Sequence, residues 1–165
     1  MNPIAWLIGL ALPVCGFPAA EGLPTPRPMD VALIVRPASP NTALAAPDGF
    51  SPSPDIVTPS YRMPAGKLFA LVQAVAISQP RTFQSALFTE QFQAHYVARS
   101  AVFNFPDLIM VQVRQDGPDS SGLIVYSRSV YGQSDFGVNR KRIEAWLAGL
   151  RTRLPPTHLP PISER

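Results

Sequence analysis

Side chains able to do chemistry concentrate late in the chain. Arg128, Ser134, Asp135, Asn139 and Arg142 follow one another within fifteen residues, with Asp107 and His95 upstream. Guanidinium groups beside free backbone N–H groups at a helix start are the parts of an anion site. Arg128, Ser134, Gly137, Asn139 and Arg142 are therefore the candidate residues for binding an anion or a polar headgroup. Asn139 and Arg142 are three apart, so on a helix they are neighbours. The competing reading is structural. Asp135 caps the helix, and Asn139 lies on its inward face beside Phe136 and Ile143. A buried amide needs partners, from Arg128 or from the backbone of the connection. Asp107 joins Asp135 and Asn139 in this polar junction. It reads either as a turn residue after Phe105-Pro106 or as the partner of a salt bridge to Arg128 or Arg81.

Other chemistries find less support. His95 and His158 are far apart with no carboxylate at ligand spacing, so no metal set and no cofactor is expected. Ser127, Ser129, Asp107 and His95 lack the Gly-x-Ser-x-Gly elbow of a nucleophilic serine. The single cysteine, Cys15, excludes an internal disulfide and a cysteine zinc site. Arg140, Lys141, Arg142, Arg151 and Arg153 form the one basic cluster, and its usual meaning is a hydrated helix face. An apolar N-terminal stretch argues against nucleic acid as partner. A binding module for a small ligand or a protein is the first reading. An enzyme acting from Arg128, Asp135 and Asn139 is the alternative.

These residues must be placed by elements. Phe136, Asn139, Ile143, Trp146, Leu147 and Leu150 recur at three- and four-residue spacing and predict an amphipathic helix up to Leu150, closed by Pro155-Pro156. Burying Ile143, Trp146, Leu147 and Leu150 contributes about 1.5–3 kcal/mol each before entropy. Leu68, Leu71, Val72 and Val75 predict a second helix over 64–77, with Pro64 at its first position. Strands are expected at 82–88, 92–99, 108–114 and 123–131, with 115–122 as a hairpin loop. Along the last strand Leu123, Val125, Ser127 and Ser129 point one way; Ile124, Tyr126, Arg128 and Val130 point the other. Helix, antiparallel strands, helix is an α+β order: a sheet of four to five antiparallel strands with two amphipathic helices on one face.

The chain divides by composition. Thirteen of the twenty prolines lie at or before Pro64, and residues 62–165 carry a net charge of +5 against −2 for residues 1–61. Residues 1–20 hold no charge, and Ile4–Val14 is an apolar run of the length found in secretory leaders. The expectation is a signal peptide or membrane tether, with lipidation at Cys15 or an apolar tail packed on the domain as alternatives. Residues 4–20 would then meet a membrane surface. Residues 21–61 read as a Pro/Ala-rich linker. Within them Val31–Val35 reads as an edge strand, the end of a membrane-proximal segment, or a patch touching the domain. The domain spans 62–153, and 154–165 is a Pro-rich tail.

Phe103-Asn104-Phe105-Pro106-Asp107, Tyr126-Ser127-Arg128-Ser129, Gly132, Ser134-Asp135, Gly137-Val138-Asn139-Arg140 and Arg142-Ile143 resemble the domain-of-unknown-function family numbered 1499, from about Leu68 to Leu150. The resemblance implies a bacterial protein, often with an apolar leader, and no established activity. The family pattern carries a second arginine where this chain has Val130. Together with the leader, the resemblance implies the cell envelope, periplasmic or membrane-tethered.

Overall fold

The computed structural model describes residues 18–155. The apolar run Ile4–Val14, Cys15, His158 and most of the Pro-rich tail lie outside the described residues.

The described chain runs β1 (Thr42–Pro47), β2 (Ile56–Thr58), α1 (Ala65–Ser78), β3 (Thr82–Phe88), β4 (Gln93–Arg99), β5 (Pro106–Gly117), β6 (Ser120–Ser129) and α2 (Val138–Arg151). The strands form one sheet in the order β2-β1-β6-β5-β4-β3. β1 and β2 are parallel, and every other neighbouring pair is antiparallel. The fold is α+β as expected, but the sheet is mixed and has six strands rather than four or five antiparallel ones.

The two added strands come from residues 21–61, which composition marks as linker. β1 reads Thr-Ala-Leu-Ala-Ala-Pro, and Ala43, Leu44, Ala45 and Ala46 are all buried. A strand covered on both faces shows no alternation. Alanine also carries little strand signal. Asp55 fixes the entry to β2. Its carboxylate accepts from the Leu44 N–H at 2.8 Å and pairs with Arg36 at 2.8 Å.

Both helices lie on one sheet face. Leu68, Val72 and Val75 of α1 and Ile143, Trp146 and Leu150 of α2 join Ile109, Val111, Val113, Leu123 and Val125 in a single core. Tyr96 and Trp146 meet edge-to-face at 5.6 Å within it. Among the described residues neither the Tyr96 hydroxyl nor the Trp146 Nε1 has a hydrogen-bond partner. Phe136 departs from the expected stripe, being 89% exposed. The helix begins only at Val138, and positive φ angles at Phe136 (52°) and Gly137 (79°) turn the chain before it, so Phe136 is out of helical phase. The hairpin is tighter than expected as well. Pairing runs to Gln115↔Ser121 and Gly117↔Ser120, which leaves Pro118 and Asp119 as the turn.

The opposite sheet face is covered by the N-terminal segment 18–36, here called the strap. Val31–Leu33 is a single 3-10 turn capped by Asp30, not a strand. Met29, Val31 and Ile34 pack on Leu44, Met110, Ile124 and Tyr126, making a second, smaller core. No described helix is long and apolar enough to cross a membrane.

Candidate functional site

The chemistry-bearing residues fall on both faces of the sheet. On the helix face, alternation along β5 and β6 puts Asp107, Ser127 and Ser129 under the start of α2. Asn139, fully buried, stands at the centre. Its Nδ2 donates to the Asn41 carbonyl (3.0 Å), Ser129 Oγ (3.0 Å) and Asp135 Oδ2 (2.7 Å). Its Oδ1 accepts from Ser127 Oγ (2.5 Å) and Arg142 Nη1 (2.6 Å). Arg142 also pairs with Asp107 at 2.5 Å. Asp107 is thus a strand residue whose partner is Arg142, neither a turn residue nor a partner of Arg128 or Arg81. It lies on the odd-numbered face of β5, which looks toward α2.

The helix start has its own anion. Asp135 accepts from the N–H of Gly137 (3.0 Å) and of Asn139 (2.8 Å) through its carboxylate, and from Val138 N–H (3.0 Å) through its backbone carbonyl. Three of the N–H groups that an external anion would use, those of Gly137, Val138 and Asn139, are occupied by this residue. Ser134 is exposed, and its Oγ accepts from Phe136 N–H at 3.3 Å.

Arg128 is not part of this cluster. It is exposed on the other face of β6, one residue out of phase with Ser127 and Ser129. The residues that spacing alone would group are therefore divided by the sheet: Asn139, Arg142, Asp135 and Asp107 come together, and Arg128 stands apart from Asp135 and Asn139.

Arg128 instead lines a cleft of about 400 Å³ between the strap and the sheet. The sheet contributes His95, Val97, Leu108, Met110, Tyr126 and Arg128; the strap contributes Leu23, Pro24, Pro26, Arg27 and Met29. The cleft exists because the strap is anchored at two points and bridges the space between them. Arg99 Nε donates to the Ala19 carbonyl at 2.8 Å and Nη2 to that of Glu21 at 3.2 Å. Buried Gln93 clamps Met29, accepting from its N–H and donating to its carbonyl, both at 2.7 Å. Between these anchors Pro24, Pro26 and Pro28 have no N–H to offer, so the strap cannot pair its backbone with the sheet.

The lining is apolar with two cationic ends. Neither Arg27 nor Arg128 has a carboxylate partner among the described residues. No Asp or Glu lines the cleft. Burial pushes the His95 imidazole below its ordinary pKa, which favours the neutral ring, and His95 Nε2 lies 2.9 Å from Gln93 Oε1. Burial pushes the Tyr126 hydroxyl up, against the opposing effects of Arg128, Arg36 and Thr42.

Residues 32–150, more than two thirds of the chain, match the family described as Protein of unknown function (DUF1499). The chain belongs to the DUF1499 family. No curated protein matches it. The DUF1499 match starts well before Leu68, where the resemblance begins, and takes in β1 and β2. It contains all seven junction residues: Asn41, Asp107, Ser127, Ser129, Asp135, Asn139 and Arg142. Arg27 and Met29 of the cleft precede it. Sequence reasoning misses Asn41 and the strap-covered cleft. The signal for the cleft is the Pro-x-Pro-x-Pro run at 24–28, which removes alternate backbone donors. Nothing in the sequence points to Gln93 as its clamp.

Proposed function

We propose that this DUF1499 protein is a non-enzymatic binding module of the bacterial cell envelope that takes a small apolar molecule with an anionic end in the strap-covered cleft. The observation carrying this reading is the pairing of an apolar lining with two guanidinium groups, Arg27 and Arg128, that lack carboxylate partners among the described residues. A volume of about 400 Å³ lies at the small end of the range for small-molecule pockets, roughly 300–1,000 Å³. That suits a short-chain acid better than a whole lipid. The apolar chain would displace water from Met110, Leu108 and Val97, and the carboxylate or phosphate would meet the guanidinium groups at the rim. The envelope assignment is supported by the apolar run Ile4–Val14.

Calorimetric titration with octanoate, and with octanol as the uncharged control, tests the reading. Octanoate binds more tightly than octanol. Replacing both Arg27 and Arg128 with Glu weakens octanoate about tenfold or more, as expected for loss of a charge-assisted contact, and leaves octanol unchanged. Equal affinity for the two probes, or no heat from either at millimolar concentration, would refute the proposal.

A further inference from the structure

Aromatic side chains outside the core gather at one end of the sheet. The turn between β4 and β5 exposes Val102 (83%), Phe103 (67%) and Phe105 (41%), and the loop between β6 and α2 exposes Phe136 (89%). Phe103 stacks on Phe105 at 5.4 Å, and Phe105 lies 6.1 Å from Tyr131 of the second loop. The exposure is built into the turn. Asn104, between the two phenylalanines, has φ 55°. Its side chain accepts from Arg81 Nη2 at 2.8 Å and its carbonyl from Arg99 Nη1 at 3.1 Å. Ser100 Oγ and N–H bond the Phe105 N–H and carbonyl, both at 2.9 Å.

We infer that this end is a docking surface for an anionic lipid bilayer, with the Phe103, Phe105 and Phe136 rings at headgroup depth. Exposed phenylalanines bury at the boundary between headgroups and acyl chains, and basic side chains near it are drawn to anionic lipid. The charges suit such a surface. Arg81 and Arg128 have no carboxylate partner among the described residues, Asp107 is paired with Arg142 and Asp135 is bonded to the helix start, and exposed Glu21, held by Arg99 through its carbonyl, is the acid that opposes them. The strap is anchored here too, because Arg99 binds the Ala19 carbonyl with the same guanidinium that binds Asn104. In the sequence the apolar run Ile4–Val14 closely precedes that anchor. A protein partner fits less well. The surface is a few side chains on two loop tips, against about 20–30 residues a side in a standard protein interface. Arg128 also serves the proposed cleft ligand, so the inference rests on the exposed rings and Arg81 and stands whatever the cleft binds.

Hydrogen exchange of the full chain, with and without phosphatidylglycerol–phosphatidylcholine vesicles, locates the contact. Amides at 101–105 and 131–137 slow several-fold on the vesicles. The turn at 117–120, at the far end of the β5–β6 hairpin, does not change. Phosphatidylcholine alone gives less protection. Replacing the two most exposed rings together, Phe103→Ser with Phe136→Ser, removes it without moving the urea midpoint. The inference is overturned if vesicles leave 101–105 and 131–137 unprotected, or if the double variant keeps the protection. It is equally overturned if protection rises with protein concentration in the absence of lipid, which would make the occupant a second copy of the chain.

Discussion

Asn139 uses both ends of its amide inside the protein. Oδ1 accepts from Ser127 and Arg142, and Nδ2 donates to Asn41, Ser129 and Asp135. An apolar isostere removes every one of these partners at once and leaves a guanidinium and a carboxylate short of bonds in a buried place. Asn139→Leu is therefore expected to destabilise the fold by about 3 kcal/mol or more, since each buried group left unsatisfied costs about 1–3 kcal/mol. Urea unfolding reads the loss directly. Octanoate affinity, measured where the variant is still folded, stays unchanged, because Asn139 lies across the sheet from the cleft. Coupled loss of both would place the ligand at the junction instead. Part of this is legible residue by residue. Helical spacing puts Asn139 inward, and a buried amide demands partners. The identity of the partners is not legible. Ser127 and Ser129 share the Val125 face by strand alternation, which also sends Arg128 to the other side. Asn41 arrives from a strand that composition hides.

At the scale of elements, legibility follows periodicity. α1 and α2 have apolar stripes against solvated faces, and β4, β5 and β6 have apolar runs between turn residues, so their positions can be read to within a few residues. β1 cannot, because it is buried on both faces and alanines fill three of its four buried positions. The strap cannot, because what fixes it is a pair of distant side chains and not its own pattern. Arg99 takes the Ala19 and Glu21 carbonyls, and Gln93 takes both polar groups of Met29. The strap should then open as a unit when the clamp is cut. Gln93→Leu leaves the Met29 N–H and carbonyl without their partner, and is expected to cost about 1–3 kcal/mol. Hydrogen exchange at 29–34 accelerates well beyond that of α2, whose amides remain near the global rate. Uniform acceleration across the molecule would mean that the strap is part of one cooperative unit with the helix-side core, not a cover over it.

The whole molecule carries its titratable burdens on opposite sides of neutrality. Burial pushes the Tyr96 hydroxyl from 10.0 up to about 12. Burial pushes Tyr61 up further, with nearby Arg151 opposing it. Burial also holds His95 below 6.5. The signs follow from proton counting. Above pH 10 the unfolded chain has released phenol protons that folded Tyr96 still keeps, so stability falls as pH rises from about 10 to 12. Below pH 6.5 the unfolded chain takes up a proton that folded His95 does not, so stability also falls as pH drops. Between about pH 7 and 9 neither group titrates in either state, and the urea midpoint should be flat with respect to both. The alkaline limb has a clean control. The Tyr96 hydroxyl has no hydrogen-bond partner among the described residues, so removing it strands nothing. Tyr96→Phe should leave stability at pH 8 within about 0.5 kcal/mol of the parent. At pH 12 it should recover about 2–3 kcal/mol, the equivalent of a shift of two pH units. The remaining alkaline loss belongs to Tyr61 and Tyr126, which burial also pushes up. If the variant loses stability at pH 8 by more than about 1 kcal/mol, the hydroxyl has a partner in solution, and the unsatisfied pair with Trp146 is not a feature of the core.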